Sequence, residues 1–181
     1  MGVPGANDPA IPSLTLLNSI LTGADSLNVF ENSNYSNRTS RLFQKLVSGG
    51  MTADICGDYT PTLDPFILRF STIVKPGITA EEVIEAVFSE LESIAREGVR
   101  PAEIEKARKQ AKAIFAYSEE DATCQASWMG QSAIFGDPDW YTNYMDRLKS
   151  VDAEDIRRIT ETVFRRDNCV IGVYLKKEEQ E

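Results

Sequence analysis

The chain has 181 residues, 42% hydrophobic and 26% charged, the balance of one globular domain able to bury a core of its own. Its net charge of -9 repels phosphate backbones and anionic lipid, which sets nucleic acid and membrane surfaces aside as partners. It contains no histidine, so a Ser-His-Asp triad, a Cys-His pair and a zinc-binding H-x-x-E-H helix are all excluded, and only carboxylate chemistry stays open.

Asp8 ahead of Pro9 predicts a helix N-cap with proline at the first helical position, and Leu14, Leu17 and Leu21 share one face of that helix. Gly23 supplies its stop. A polar stretch rich in Asn and Ser follows, and loops of that length are either functional or disordered. Thr39 then caps a short helix carrying Leu42 and Leu46, which Gly49 and Gly50 end. Met51, Ala53 and Ile55 alternate with Thr52, Asp54 and Cys56; Phe66, Leu68 and Phe70 alternate with Ile67, Arg69 and Ser71. Residues 51–59 and 66–74 therefore read as an antiparallel hairpin across the turn TPTLDP.

The second half reads as helical. Thr79 and Glu82 form a capping box, and Val83, Val87, Leu91 and Ile94 make a buried stripe before Gly98. Pro101 opens a helix with Ile104, Ala107, Ala111 and Ile114 inward, and residues 118–135 continue helical with Ala122, Ala126 and Met129 on one side. Asp137-Pro138 opens the next, carrying Tyr141, Tyr144 and Leu148. Asp152 caps the last, with Val151 stapled against Ile156. CVIGVYL from Cys169 closes the chain as an apolar strand, and KKEEQE is a frayed tail. The strand and helix order is not a strict β-α alternation, so the fold class is α+β, an antiparallel sheet covered by helices.

Cys56, Cys124 and Cys169 are odd in number and far apart, which predicts a reduced chain with buried thiols. No apolar run reaches the length of a membrane span, and MGVPGANDPA has neither the charged nor the apolar region of a signal peptide, so the default expectation is cytoplasmic. Glu119, Glu120 and Asp121 point in different directions on a helix and read as a solvated face rather than a cation site. Trp128, Trp140, Tyr141 and Tyr144 have the spacing of core packing rather than of a ligand pocket. Arg41 is placed to pair with a carboxylate, with substrate contact as the alternative.

The segments LLNSILTG, SRLFQKLV, DPFILRFSTIVKPG, TAEEVIEAVFSELESIAREGV, EIEKARKQAKAIFAYS, GDPDWYTNYMDRLKSVDAEDIRRITETVF and RRDNCVIGVYL, in this order and spacing, resemble the non-catalytic C-terminal domain of the pitrilysin-like zinc peptidases, the family of the mitochondrial processing peptidase. The resemblance spans nearly the whole chain and implies that residues 1–181 are a single, inactive, substrate-binding domain of a larger peptidase. It further implies no cofactor in this chain, with zinc held by an N-terminal catalytic domain of the same protein or of a partner subunit. Extended peptide is the implied substrate. Some members supply an Arg and a Tyr after S-R-L to hold the substrate carbonyl; the aligned positions here are Ser48 and Asp54, which cannot serve.

In the family a flexible loop implicated in substrate handling lies between the first helix and S-R-L. Here that place holds ADSLNVFENSNYSNRT, and Asn28, Phe30, Asn32, Asn34 and Tyr35, together with Arg41, are the candidate substrate-binding residues. Aromatic rings and amides suit stacking on, and hydrogen bonding to, a passing backbone; the alternative is a solvated excursion pinned by its apolar residues. The family also has a strand leading into the P-G segment, which reads as missing here; the unpaired sheet edge would offer a route to a homodimer. A structural or scaffold subunit that has lost peptidase function is the competing reading of the whole.

Overall fold

The computed structural model describes residues 1–27 and 38–175. Its elements are β1 (Gly2–Val3), α1 (Ile11–Thr22), a 3-10 turn (Ala24–Leu27), a π-helical turn (Phe43–Ser48), β2 (Cys56–Tyr59) and β3 (Phe66–Ser71), then α2 (Ala80–Glu97), α3 (Pro101–Glu120), α4 (Ala122–Ile134), α5 (Tyr144–Ser150) and α6 (Ala153–Val163). The strands form an antiparallel sheet in the order β1-β3-β2, with Gly2 opposite Ile67 and Gly57 opposite Phe70. The α+β expectation is met.

α1 is the axis of the domain, touching α3, α5, α6 and β2. Leu14, Leu17 and Leu21 are buried as expected, but so are Leu16, Ile20 and the polar Ser13, Thr15, Asn18, Ser19 and Thr22. The polar ones are tolerated because most satisfy themselves: Thr15 and Thr22 donate back to the carbonyls of Ile11 (3.0 Å) and Asn18 (2.9 Å), and Asn18 donates to Gly57 O across the β2 interface (3.3 Å). The helix begins at Ile11, later than Asp8-Pro9 suggests, because the Asp8 carboxylate accepts from Ala10 N (2.8 Å) in an Asx turn ahead of it.

Gly57 is the point where β2 meets α1. A Cβ there would overlap Thr22 Oγ1 and Asn18 Oδ1, both held in the buried face. Gly57→Ala is therefore expected to cost about 1–3 kcal/mol by overpacking, measured by urea denaturation, while Gly130→Ala, where a Cβ meets nothing, should not destabilise.

The hairpin forms, but its ladder is shorter than residues 51–59 and 66–74. Asp54 interrupts it: its carboxylate accepts from Ile73 N (2.8 Å), and its carbonyl takes the hydroxyls of Thr52 (2.9 Å) and Thr72 (2.6 Å). Pairing resumes beyond this bulge only as an isolated Thr52–Val74 bridge. Ahead of Pro4, where no strand is expected, Gly2 and Val3 pair with β3.

Four further expectations need correction. Residues 169–175 form no strand; Val170 is 96% and Tyr174 99% exposed, because β1 offers them backbone only at its own short length. On α2 the buried stripe is Val83, Phe88, Leu91 and Ile94, whereas Val87 is half-buried and turned toward β3. On α4 the inward side is Trp128 and Ser132; Ala122, Ala126 and Met129 face outward. The cysteines are not buried: Cys56 is exposed and Cys124 and Cys169 are half-exposed. The predicted caps at Thr79 and Asp152 hold, with reciprocal boxes at Thr79/Glu82 and Asp152/Asp155, and Val151 and Ile156 both buried at the latter; Asp137-Pro138 opens no helix, because Asp137 accepts from Asp139 N (3.2 Å) in a run of turns and α5 begins only at Tyr144.

Candidate functional site

Asn28, Phe30, Asn32, Asn34 and Tyr35 lie outside the described residues. What the structure places are the two roots of their segment. On one side Ala24 and Leu27 are buried beside α1 and α3. On the other, Gln44 Nε2 donates to Arg38 O, Lys106 Nζ donates to Thr39 Oγ1, and Ser40 is buried.

Arg41 locks this second root onto the helices. Its Nε and Nη2 donate in parallel to the two carboxylate oxygens of Glu103 on α3, both at 2.8 Å, and its Nη1 donates to Glu90 on α2 at 3.2 Å. Lys45 Nζ reaches the other Glu90 oxygen at 3.3 Å. Glu103 also accepts from the backbone N–H of Arg100 at 2.8 Å, as part of the cap of α3. Burial pushes the Glu103 carboxyl up, but the Arg41 fork and the Arg100 N–H outweigh it and hold the group at about 2. The Glu103 hydrogen bonds likewise raise the guanidinium of Arg41. A carboxylate held ionised by an arginine fork is an anchor, not a general base. Arg41 thus joins π-helical turn, α2 and α3 at the foot of the segment.

Ser48 ends the π-helical turn, and Asp54 accepts from Ile73 N at the β2–β3 bulge, so of the two positions that align with the family's Arg and Tyr, Asp54 carries structural hydrogen bonding here. The aromatic residues are core: Trp128 packs against Tyr144 (5.3 Å between centroids), Tyr141 (5.5 Å) and Trp140 (5.9 Å), and Trp140 Nε1 donates to Ala6 O (3.2 Å). Asp121, from the acidic triplet, caps α4 by accepting from Thr123 N at 2.8 Å. Burial raises the phenols of Tyr59 and Tyr144 above their ordinary range, so both stay protonated at neutral pH and neither serves as a base.

The residues present do not fit a zinc ion. Histidine is absent, Cys56, Cys124 and Cys169 sit on separate elements, and no group of three His, Cys, Asp or Glu is placed to hold a metal among the described residues. No helix among them is long and apolar enough to cross a membrane.

One feature was not anticipated from sequence: an apolar groove of about 1260 Å³ between β3, the start of α2 and residues 167–175. Its signal lay in FILRFSTIV and CVIGVYL, two alternating apolar segments that line it without pairing with each other.

The family model of the peptidase M16 inactive domain matches residues 2–111, from β1 through the first half of α3, and so includes both roots and the Arg41–Glu90–Glu103 network. The chain belongs to this family. The pitrilysin-like resemblance is borne out, and the chain is an M16 inactive C-terminal domain of the zinc-protease type. No curated protein matches it. Among solved structures, the inactive peptidase domain of a protein assigned as a zinc protease in Bordetella parapertussis is similar at 19% identity and TM-score 0.82, covering 99% of this chain and 89% of that one. A protease from Helicobacter pylori is similar at 19% identity and TM-score 0.79, over 91% of this chain and 36% of that one. A peptidase M16 inactive domain from Pseudomonas fluorescens follows at 17% identity and TM-score 0.66, over 89% of this chain and 36% of that one. These likenesses extend the M16 inactive-domain fold past the matched residues to α4, α5 and α6.

Proposed function

We propose that this chain is the substrate-holding, non-catalytic half of a zinc metalloendopeptidase. It works opposite a zinc-bearing catalytic domain, on the same polypeptide or on a partner subunit, and holds peptide in extended form there. The observation that carries the reading is membership of the M16 inactive-domain family in a chain whose described residues place no group of three His, Cys, Asp or Glu to hold a metal. Asn28, Phe30, Asn32, Asn34 and Tyr35 stack on and hydrogen-bond the passing peptide, and Arg41 fixes the foot of their segment through Glu90 and Glu103.

The test is to replace residues 28–37 with a few glycines in the chain assembled with its catalytic partner. Peptide turnover should fall chiefly through a higher KM, and the melting midpoint should hardly move, because closure entropy depends weakly on loop length. Unchanged kinetics on several peptides would reject the binding role; a large loss of stability would make the segment part of the core. The scaffold reading draws on Ser48 and Asp54, which replace the Arg and Tyr implied by the family. It predicts that an assembly with an intact partner turns over no peptide.

A further inference from the structure

With 28 acidic and 19 basic side chains, carboxylates are in excess and most cations find one. Among the described residues, every Lys and Arg lies within ion-pair distance of a carboxylate except Arg38, Lys75, Lys106, Lys109 and Lys112. Four of these five gather in one place, and all four are exposed. Arg38 stands at the second root of the segment, Lys106 Nζ donates to Thr39 Oγ1 at that root, and Lys109 and Lys112 follow Lys106 along α3.

Lys106, Lys109 and Lys112 are three residues apart, the spacing of one ridge on a helix surface. At a rise of about 1.5 Å per residue the row is about 9 Å long. The carboxylates on the same stretch do not cancel it: Glu103 is held by Arg41 and Arg100, and Glu105 by Arg108 at 2.5 Å. Like charges at this spacing disfavour a helix, so the row works against the fold and not for it. Lys106 and Lys109 also line a shallow groove of about 550 Å³, with Ala102 and Ala113 as its apolar contacts.

We infer that the ridge of Lys106, Lys109 and Lys112, together with Arg38, is a subsite for acidic side chains of the peptide; this rests on the substrate-holding role proposed above. Alternate side chains of an extended peptide lie about 7 Å apart. A Glu-x-Glu pattern therefore spans most of the row, and the flexible lysine stems make up the difference. The residue between the two acids turns away from the ridge, and the alanines take the apolar parts of the acidic side chains. The net charge of -9 repels such a peptide from the rest of the surface, so a preference for acidic peptides is no background property of the chain.

The experiment measures, by fluorescence anisotropy, the binding of two labelled, amidated peptides to the 181-residue chain. One is Ala-Leu-Glu-Phe-Glu-Leu-Ala; its twin has glutamine at both glutamate positions. At about 10 mM ionic strength, where charges act over about 30 Å, the acidic peptide should bind at least about fivefold tighter, because each exposed charge contact is worth a few-fold. The gap should narrow at about 150 mM. Lys109→Gln with Lys112→Gln should remove it, and Lys109→Glu with Lys112→Glu should reverse it. Lys106 is left in place because it also holds Thr39. Lys75→Gln, which removes the unpaired cation outside the ridge, should leave the gap unchanged. Equal affinities for the twins, no saturable binding of the acidic one, or a gap that Lys75→Gln closes as well as the ridge variants do, overturns the inference. A glutamine twin with a free C-terminal carboxylate that binds as tightly as the acidic amide would make the ligand a chain end, and overturns the side-chain assignment. If the chain assembled with its catalytic partner cleaves neither peptide while the lysine-dependent gap persists, the substrate-holding role fails, and the ridge is an anion site without a place in substrate binding.

Discussion

Trp128→Ala is expected to lower stability by about 3–5 kcal/mol, the cost of emptying a large buried aromatic site. Trp128 is 3% exposed and is the ring through which α4 joins the rest of the domain. Its neighbours come from α3 (Phe115, 6.4 Å between centroids), from α5 (Tyr144, 5.3 Å) and from the turns between α4 and α5 (Trp140, 5.9 Å; Tyr141, 5.5 Å). Several of these rings are themselves large and wedged together, so the cavity cannot collapse around a methyl group. At about 2–4 °C per kcal/mol for a chain of this size, the midpoint should drop by roughly 10 °C. Met129→Ala is the control: Met129 is 63% exposed, and its loss should stay within about 0.5 kcal/mol. Thermal and urea unfolding followed by circular dichroism distinguishes them. Equal effects for the two substitutions would mean that α4 is turned the other way.

The same pair shows where the sequence was readable and where it was not. Trp128 is legible as core because aromatic residues recur at helical spacing through Tyr141 and Tyr144. The rest of the α4 face is not: Ala122, Ala126 and Met129 are apolar but small or flexible, and nothing in the local period separates an exposed alanine from a buried one. On α2 the ambiguity is one residue wide. Val87 and Phe88 are adjacent and both apolar, and the direction of α6 decides that Phe88 enters the core while Val87 turns to the groove. The caps at Thr79/Glu82 and Asp152/Asp155 are legible because they depend on residues three apart, whereas Asp8 and Asp137, each followed by proline, make Asx turns ahead of helices that start later.

Long-range partners were the harder part. That Arg41 pairs with a carboxylate is a fair inference from its position, but its partners, Glu90 and Glu103, lie on two helices far along the chain. That CVIGVYL is strand-forming is plain from its alternation, yet a strand exists only where another backbone lies beside it, and residues 169–175 have a groove there. The full burial of α1 is likewise hidden: Ser13, Thr15, Asn18, Ser19 and Thr22 suggest a solvated face, and the back-bonding of Thr15 and Thr22 to the helix and of Asn18 to β2 is what lets those three inside.

Glu103→Gln is the second substitution with a large expected effect, about 3 kcal/mol at pH 7. Glu103 is held at about 2 in the folded chain against an ordinary value of 4.5, so folding favours the ionised form. That contribution is fully present above the unfolded value and is lost as the pH falls from 4.5 through 2. Its side chain is only 14% exposed, so solvent screening takes little from it. Gln cannot accept the Arg41 fork as a charged pair, which leaves a guanidinium 19% exposed with Glu90 as its remaining carboxylate. Wild type and Glu103→Gln should therefore differ most near neutral pH in urea denaturation, and their curves should converge as the pH approaches 2.5. Arg41→Ala should lose a similar amount, and the double variant less than the sum, since both remove one coupled interaction. A gap between wild type and Glu103→Gln that is the same at pH 7 and at pH 2.5 would mean that Glu103 contributes through its shape and not its charge, and the Arg41 anchor would then lose its electrostatic basis.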